Sequence, residues 1–385
     1  MSLQDWAYLN RVVEGPSRAL QELLSAGRDV TEIAHGVRTR ASWLGELLRQ
    51  TEARYGHDSG DEDLAAAAAV GARLITPDCT EWPHAEFDRA FGFAATGRSA
   101  HLRSYQADAV QPHVLWVRGH PLASVVAQSV GVVGTRAATR YGLEATRQIA
   151  TGLASHQWTV VSGGALGIDT IAHESALDAG GLTVAVAACG IDRTYPARNA
   201  RLLERIAGHG CVVSEYPPGT PPQRHRFLTR NRLVAALTSG TVIVEAAWRS
   251  GALNTLSWAE GLGAVTMAVP GPVTGAGSLG CHERIKEGRA QLVTGADDIR
   301  ALLGAAGALD VAEQYELAYA ATPVQSLTRN ELRVFDAVEP AGSVAHDIAS
   351  AAGLPLPLTV HLLMDLVRRD VLTREGTVWR RADRL

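Results

Sequence analysis

Lysine is almost missing. Lys286 is the only one among 36 lysines and arginines, so the chain holds no Gly-Lys-Ser/Thr phosphate loop, and nucleotide hydrolysis of that type is excluded. Cysteine is scarce too. Cys79, Cys189, Cys211 and Cys281 are scattered without a C-x-x-C pair, which excludes a disulfide framework or a zinc ribbon and leaves buried, reduced thiols. No metal site and no cofactor is expected. Apolar runs stop short of the about 18 residues that a membrane span needs. The start, MSLQDWAYLN, carries an early acid and no apolar signal core. The chain therefore reads as cytoplasmic, with no membrane span.

Its 385 residues suggest two or three domains. Residues 1–70 read as short helices, with apolar positions recurring at three and four in SRALQELLSAGRDVTEIAHGV. Glu14–Ser17 (EGPS) has the look of a helix-hairpin-helix turn, although a plain helical packing module fits the pattern better. DSGDED (58–63) reads as an exposed loop. Residues 71–300 form the core. There, short β-branched runs end in glycine or polar turns: VGVVG (130–134), WTVVSGG (158–164), TVAVAACG (183–190), CVVSE (211–215), TVIVEA (241–246) and AVTMAVPG (264–271). A spacing of roughly 20 to 30 residues with helices between predicts an α/β fold with a parallel, doubly wound sheet. Such sheets bind ligands at the carboxyl ends of their strands. Residues 301–322, rich in alanine, read as a linker. In 323–385, NELRVFDAV, SVAHDIASAAG (with Ser343 as N-cap) and LPLTVHLLMDLVRRD predict three helices. VLTREGTVWRR predicts a hairpin turning at Glu375–Gly376, and the sum is a winged-helix domain.

The chemistry gathers at the expected strand ends. Gly134, Thr135 and Arg136 follow the first run and precede a helix, where backbone amides and a fixed guanidinium suit an anion. After the second run, Ser162, Gly163 and Gly164 offer a hydroxyl donor and a tight turn. Asp169 and His173 share a helix face. They suit either an acid–base pair or, as the absence of a third partner favours, a carboxylate bonding nearby amides beside a packed histidine. Glu215 and Glu245 close strands and suit hydrolytic work or the orientation of arginines; the arginine surplus favours the second.

That surplus peaks in RHRFLTRNR (224–232), within a chain of net charge −4. The run places Arg224, Arg226 and Phe227 on a loop, with Arg230, Asn231 and Arg232 in the first turns of a helix. A row of cationic sites beside one aromatic ring suits an unpaired polynucleotide, whose phosphates pair with arginine and whose bases stack on the ring.

These segments resemble the DNA-processing protein A (DprA/Smf) family. The matching blocks are VGVVGTRAATRYG, VVSGGALGIDTIAHESAL, AACGIDRTYPARN, VVSEYPPG, RFLTRNRLVAAL, VEAAWRSGALNT and AVPGPVTGAGSLG, in family order across about 110–290. The resemblance implies an extended Rossmann-like core flanked by an N-terminal helical (SAM/helix-hairpin-helix-like) domain and the C-terminal winged helix. It implies a homodimer that binds single-stranded DNA and loads the RecA recombinase onto it during natural transformation, without being an enzyme. It carries DNA contact over to Arg136, Arg224, Phe227, Ser250 and Gly251, and to Arg230, Asn231 and Arg232 both phosphate contact and a role in shaping the pocket. The chain departs from the family at Gly263, where an arginine is usual, and at His282, where asparagine is common. Two rivals stand beside it. A nucleotide phosphoribohydrolase of a related fold would need a glycine pattern and a glutamate that VEAAWRSGALNT lacks. A winged-helix transcription regulator would need a base-reading helix, whereas LTVHLLMDLVRRD is largely apolar.

Overall fold

The computed structural model describes residues 2–99, 108–304 and 322–382. The chain forms two compact units, one ending at Leu309 and the other beginning at Asp310.

The first unit is built on a nine-stranded sheet. Its strands are β1 (Ala72–Ile75), β2 (Leu115–Gly119), β3 (Ser129–Val133), β4 (Thr159–Ser162), β5 (Thr183–Ala187), β6 (Cys211–Ser214), β7 (Gly240–Ile243), β8 (Val265–Ala268) and β9 (Gln291–Leu292). They lie in the order β1-β2-β6-β5-β4-β3-β7-β8-β9. All six runs singled out in the sequence are strands. The sheet is mixed rather than wholly parallel, because β2 runs antiparallel to both β6 and β1. From β6 to β9 every pairing is parallel. The chain winds outward from β3 through β4, β5 and β6, then returns to the other side of β3 with β7. That reversal leaves a crevice at the carboxyl ends of β3, β4 and β7.

Both faces of the sheet are covered, which is why its strands are continuously apolar rather than alternating. On one face Val133, Val161, Val186 and Ile243 pack with Leu233 and Trp258. On the other, Val130, Val132 and Val160 meet Ile149, Leu153 and Ile168. The N-terminal helices extend this second layer: Trp6, Leu9 and Val12 share a core with Leu74, Trp116 and Val212. The Trp116 indole N–H donates to Asn10 Oδ1 at 2.8 Å, and Asn10 Nδ2 donates to the Glu215 carbonyl at 2.9 Å. Of the expected loop DSGDED only Asp58 and Ser59 lie outside a helix. A helix starts at Gly60, and the buried Asp63 carboxylate pairs with Arg11. At the turn after the first helix, the Glu14 carboxylate accepts from both Arg54 and Arg226.

The second unit holds the helices Arg329–Asp336, Ala345–Ala352 and Leu356–Arg368, with β10 (Ser343–Val344), β11 (Leu372–Glu375) and β12 (Val378–Arg381) in the order β10-β12-β11. Thr328 and Glu331 close the first helix as a capping box. Val334, Ile348, Leu363, Leu366 and Trp379 form the core. Ser343 is not the N-cap of the second helix: Val344 is, and Ser343 lies in β10 with its hydroxyl accepting the Glu339 N–H at 3.0 Å. The linker expected over 301–322 falls outside the described residues, except for its ends: 301–304, where the helix Ala296–Leu303 finishes, and Thr322. Among the described residues no single helix is long and apolar enough to cross a membrane.

Candidate nucleic-acid interface

The crevice is a groove of about 760 Å3. Its walls come from the turn after β3 (Gly134, Thr135, Arg136), the turn after β4 (Gly163, Ala165), the loop after β7 (Arg249, Ser250, Gly251), the first turns of the helices Ile168–Asp178 (Asp169) and Ala252–Gly261 (Ala252, Thr255), and, most extensively, the helix Arg224–Ala236.

That helix corrects the reading of RHRFLTRNR. Arg224, Arg226 and Phe227 are not on a loop. Gln223 adopts an extended conformation as N-cap, and the helix runs unbroken from Arg224. Successive residues therefore point about 100° apart, and one charge run is divided among different faces. Arg224, Phe227, Leu228, Asn231 and Val234 recur at three and four and line the groove. Arg226 turns toward the N-terminal helices, bound by Glu14 and lying 5.5 Å from the Tyr216 ring. Arg232 points into the protein, where it pairs with Glu215 and packs 5.8 Å from Phe91. Of the four arginines in the run, only Arg224 is exposed.

Arg230 occupies an intermediate place. It lines the groove yet is 4% exposed. Its guanidinium donates to the Gly163 carbonyl at 2.8 Å and to the Val186 carbonyl, so it fastens the turn after β4 to β5. Burial lowers its pKa, opposed by the attraction of Asp169. The Asp169 carboxylate accepts the Gly163 and Ala165 amides at 3.2 and 3.3 Å. Burial raises its pKa, and Arg230 works against that rise. The glycine turn thus has its amides filled by the protein's own carboxylate. His173 is buried, with Nδ1 2.7 Å from Thr183 Oγ1. Asp169 and His173 have structural occupations, as the absence of a third partner suggested.

Two sequence candidates are directed elsewhere. The Ser162 hydroxyl is buried and donates to the Val132 carbonyl at 2.7 Å within the sheet, leaving no donor for the groove. Gly164 is also buried, its carbonyl accepting from Asn199 Nδ2 at 3.0 Å. Asn231 does face the groove and donates to Asn254 Oδ1 at 3.0 Å. The Ser250 hydroxyl accepts the Ala252 N–H at 3.3 Å at the start of the next helix. Glu215 orients an arginine, as the surplus suggested; Glu245 instead accepts the Thr139 N–H. Gly263 has its own reason: its φ is +73°, and a Cβ there would stand 2.8 Å from the Phe93 ring, so an arginine does not fit.

The remaining surface has a simple layout. Phe227 is half-buried. Its ring lies 5.3 Å from that of Tyr195, tilted by 53°, and the Arg136 guanidinium stands 5.5 Å from its centroid. Arg136, Arg224 and Arg249 are exposed and line the groove with Phe227, while Tyr195 lines an adjoining pocket that shares Arg136 and Phe227. Three free-standing cations beside two rings can bind phosphates and stack a base. Sequence reasoning missed Tyr195 and Arg249. Tyr195 lies outside the charge run, in a block whose role no local pattern disclosed. Arg249 stood in plain view beside Ser250 but carried no motif of its own.

Comparison with known proteins agrees with this architecture. The family model described as DNA recombination-mediator protein A matches residues 94–304. A putative DNA processing protein DprA of Mycobacterium tuberculosis is 46% identical over 358 residues, spanning 92% of this chain and 88% of that one. DprA of Streptococcus pneumoniae is 40% identical over 190 residues, 49% of this chain and 66% of its own. Its X-ray structure superposes with a TM-score of 0.63 at 28% identity, covering 78% of this chain and 98% of that chain. With the match spanning more than half of its length and a relative aligned almost end to end, this chain belongs to the DNA recombination-mediator protein A (DprA/Smf) family.

Proposed function

We propose that this protein binds single-stranded DNA in the groove at the carboxyl ends of β3, β4 and β7, protects it, and loads a RecA recombinase onto it during natural transformation. The observation that carries the reading is the Arg136 guanidinium poised over the half-buried Phe227 ring, with Arg224 exposed on the same wall. Phosphates pair with Arg136, Arg224 and Arg249, while Phe227 and Tyr195 stack bases. Gly134, Thr135, Gly163, Ser250 and Gly251 shape the walls, and Arg230 and Asn231 brace them. Duplex DNA keeps its bases stacked on one another, so the ring pair favours an unpaired strand. Family membership supports the DNA-processing role, and in this reading the protein works as a cytoplasmic homodimer. The N-terminal helices to about residue 70 form an accessory module, and residues 323–385 a winged helix that meets protein or gives a weak second DNA contact.

The reading is non-enzymatic. A phosphoribohydrolase would direct a carboxylate at its substrate, whereas Glu245 does not line the groove and is bound to the Thr139 amide, and Asp169, which does line it, is occupied by the Gly163 and Ala165 amides. Release of free base from a nucleoside monophosphate, abolished in Glu245→Ala, would reinstate the enzyme.

The deciding measurement is fluorescence anisotropy of labelled single- and double-stranded oligonucleotides at two salt concentrations. The expected result is tighter single-strand binding with a steep salt dependence. Equal affinity for both forms would overturn the proposal.

A further inference from the structure

Arg136 stands between the end of β3 and the helix Arg140–Ser155. A guanidinium on a short loop is held only as firmly as the loop's backbone. Here both ends of the loop are fastened by one residue, Glu245, just beyond β7. Its carbonyl accepts the Thr135 N–H at 2.7 Å, and its carboxylate Oε2 accepts the Thr139 N–H at 2.9 Å. Between these brackets the Ala137 N–H turns back to Thr135 Oγ1 at 3.2 Å.

Glu245 is 2% exposed, and no ion pair to it forms among the described residues. Burying a carboxylate without a cation is costly, so its neighbours must compensate. The Thr139 N–H bond is one compensation. The carboxylate lies at the start of the helix Arg140–Ser155, where the helix dipole favours negative charge. Two glycines also clear its space: a Cβ at Gly142 would come within 2.1 Å of Oε2, and one at Gly277 within 2.6 Å of Oε1. Three segments thus converge on a carboxyl group that does not reach the groove.

We propose that Glu245 is a positioning residue for single-strand binding: it holds the Arg136 loop, and with it the placement of Arg136 over Phe227, without touching DNA. This rests on the groove reading above. It also explains why the helix start offers no amide seat to a phosphate: the protein's own carboxylate is already there.

The test is a double-mutant cycle on the full chain, with a labelled oligo-dT strand as the probe. Glu245→Ala is expected to weaken binding about ten-fold in the wild-type background and less than about two-fold in Arg136→Ala, since residues acting through one another are not additive. Independent, multiplying losses would overturn the inference. If Arg136→Ala itself leaves affinity unchanged, the groove reading fails first and takes the inference with it. Glu245→Gln keeps an oxygen for the Thr139 N–H and should bind within about two-fold of wild type, because the bracket is a hydrogen bond. Binding as poor as that of Glu245→Ala would sink the proposal. Should Glu245→Ala fail to fold, Gly142→Ala drives a methyl into the carboxylate's space while favouring the helix. A folded Gly142→Ala with undiminished affinity would likewise overturn it.

Discussion

Arg232 and Glu215 form an ion pair inside the protein, with 0% and 1% of their side chains exposed. Arg232 Nε and Nη1 and Glu215 Oε2 have no hydrogen-bond partner among the described residues, so the two charges depend on each other. Removing one leaves the other buried and uncompensated. Arg232→Ala is expected to lower the unfolding free energy by about 3–5 kcal/mol. Urea denaturation measures this, and a loss under about 1 kcal/mol would mean that water reaches the pair.

Arg136 and Arg224 are exposed and Arg226 is not, so the three should respond differently. Arg136→Ala and Arg224→Ala are each expected to reduce the slope of log affinity against log salt by about 0.7, the share of one phosphate on a single strand. Each should leave stability within about 0.5 kcal/mol. Arg226→Ala removes one of the two cations that hold Glu14, leaving Arg54, together with a bond to the Pro221 carbonyl, and should destabilise the fold with the salt slope unchanged. A salt titration of the three variants decides, and a lowered slope in Arg226→Ala would contradict the division of the helix by face.

Phe227 contributes a ring rather than a charge. Phe227→Ala is expected to lose about 1–3 kcal/mol of single-strand affinity at every salt concentration, the worth of one stacked base. Tyr195→Ala should weaken binding in the same salt-independent way, because its ring packs against Phe227. Undiminished affinity in both variants would show that bases do not stack there.

His173 gives the fold an acid limit. Thr183 Oγ1 donates to the Val160 carbonyl, so His173 Nδ1 carries the proton directed at Thr183, and Nε2 is buried without a hydrogen-bond partner among the described residues. Burial, reinforced by Arg230, pushes its pKa down to about 3; burial, with Arg232, does the same to His113. In the unfolded chain both titrate near about 6.5. Below that value the unfolded state takes up protons that the folded state refuses, so stability falls as pH drops from about 6.5 toward 3. His173→Leu should flatten part of that fall when melting temperature is followed against pH. An unchanged profile would show that His173 is not a source of it.

The parallel part of the sheet was legible because strands buried on both faces must be apolar throughout, and the six runs stand out against polar surroundings. β1 and β2 were not legible. Ala72–Ile75 and Leu115–Gly119 each include an arginine, and their pairing joins residues about forty apart that no local pattern connects. The groove was legible as a place, from the rule that open α/β sheets bind at strand ends. Its membership was not. Ser162 and Gly163 are neighbours in sequence, yet one hydroxyl is spent inside the sheet while the next residue forms part of the wall.

Composition and pattern by themselves determined the α/β class, the family, the helices and hairpin of the last sixty residues, and the gathering of arginine near one phenylalanine. Only the tertiary structure decided which of those arginines face water. A helix turns each successive side chain by about 100°, so a dense run of charge is split among a groove, a neighbouring helical layer and a core. Each buried member then needs a carboxylate or carbonyl that the chain supplies from far away: Glu14 for Arg226, Gly163 and Val186 for Arg230, and Glu215 for Arg232.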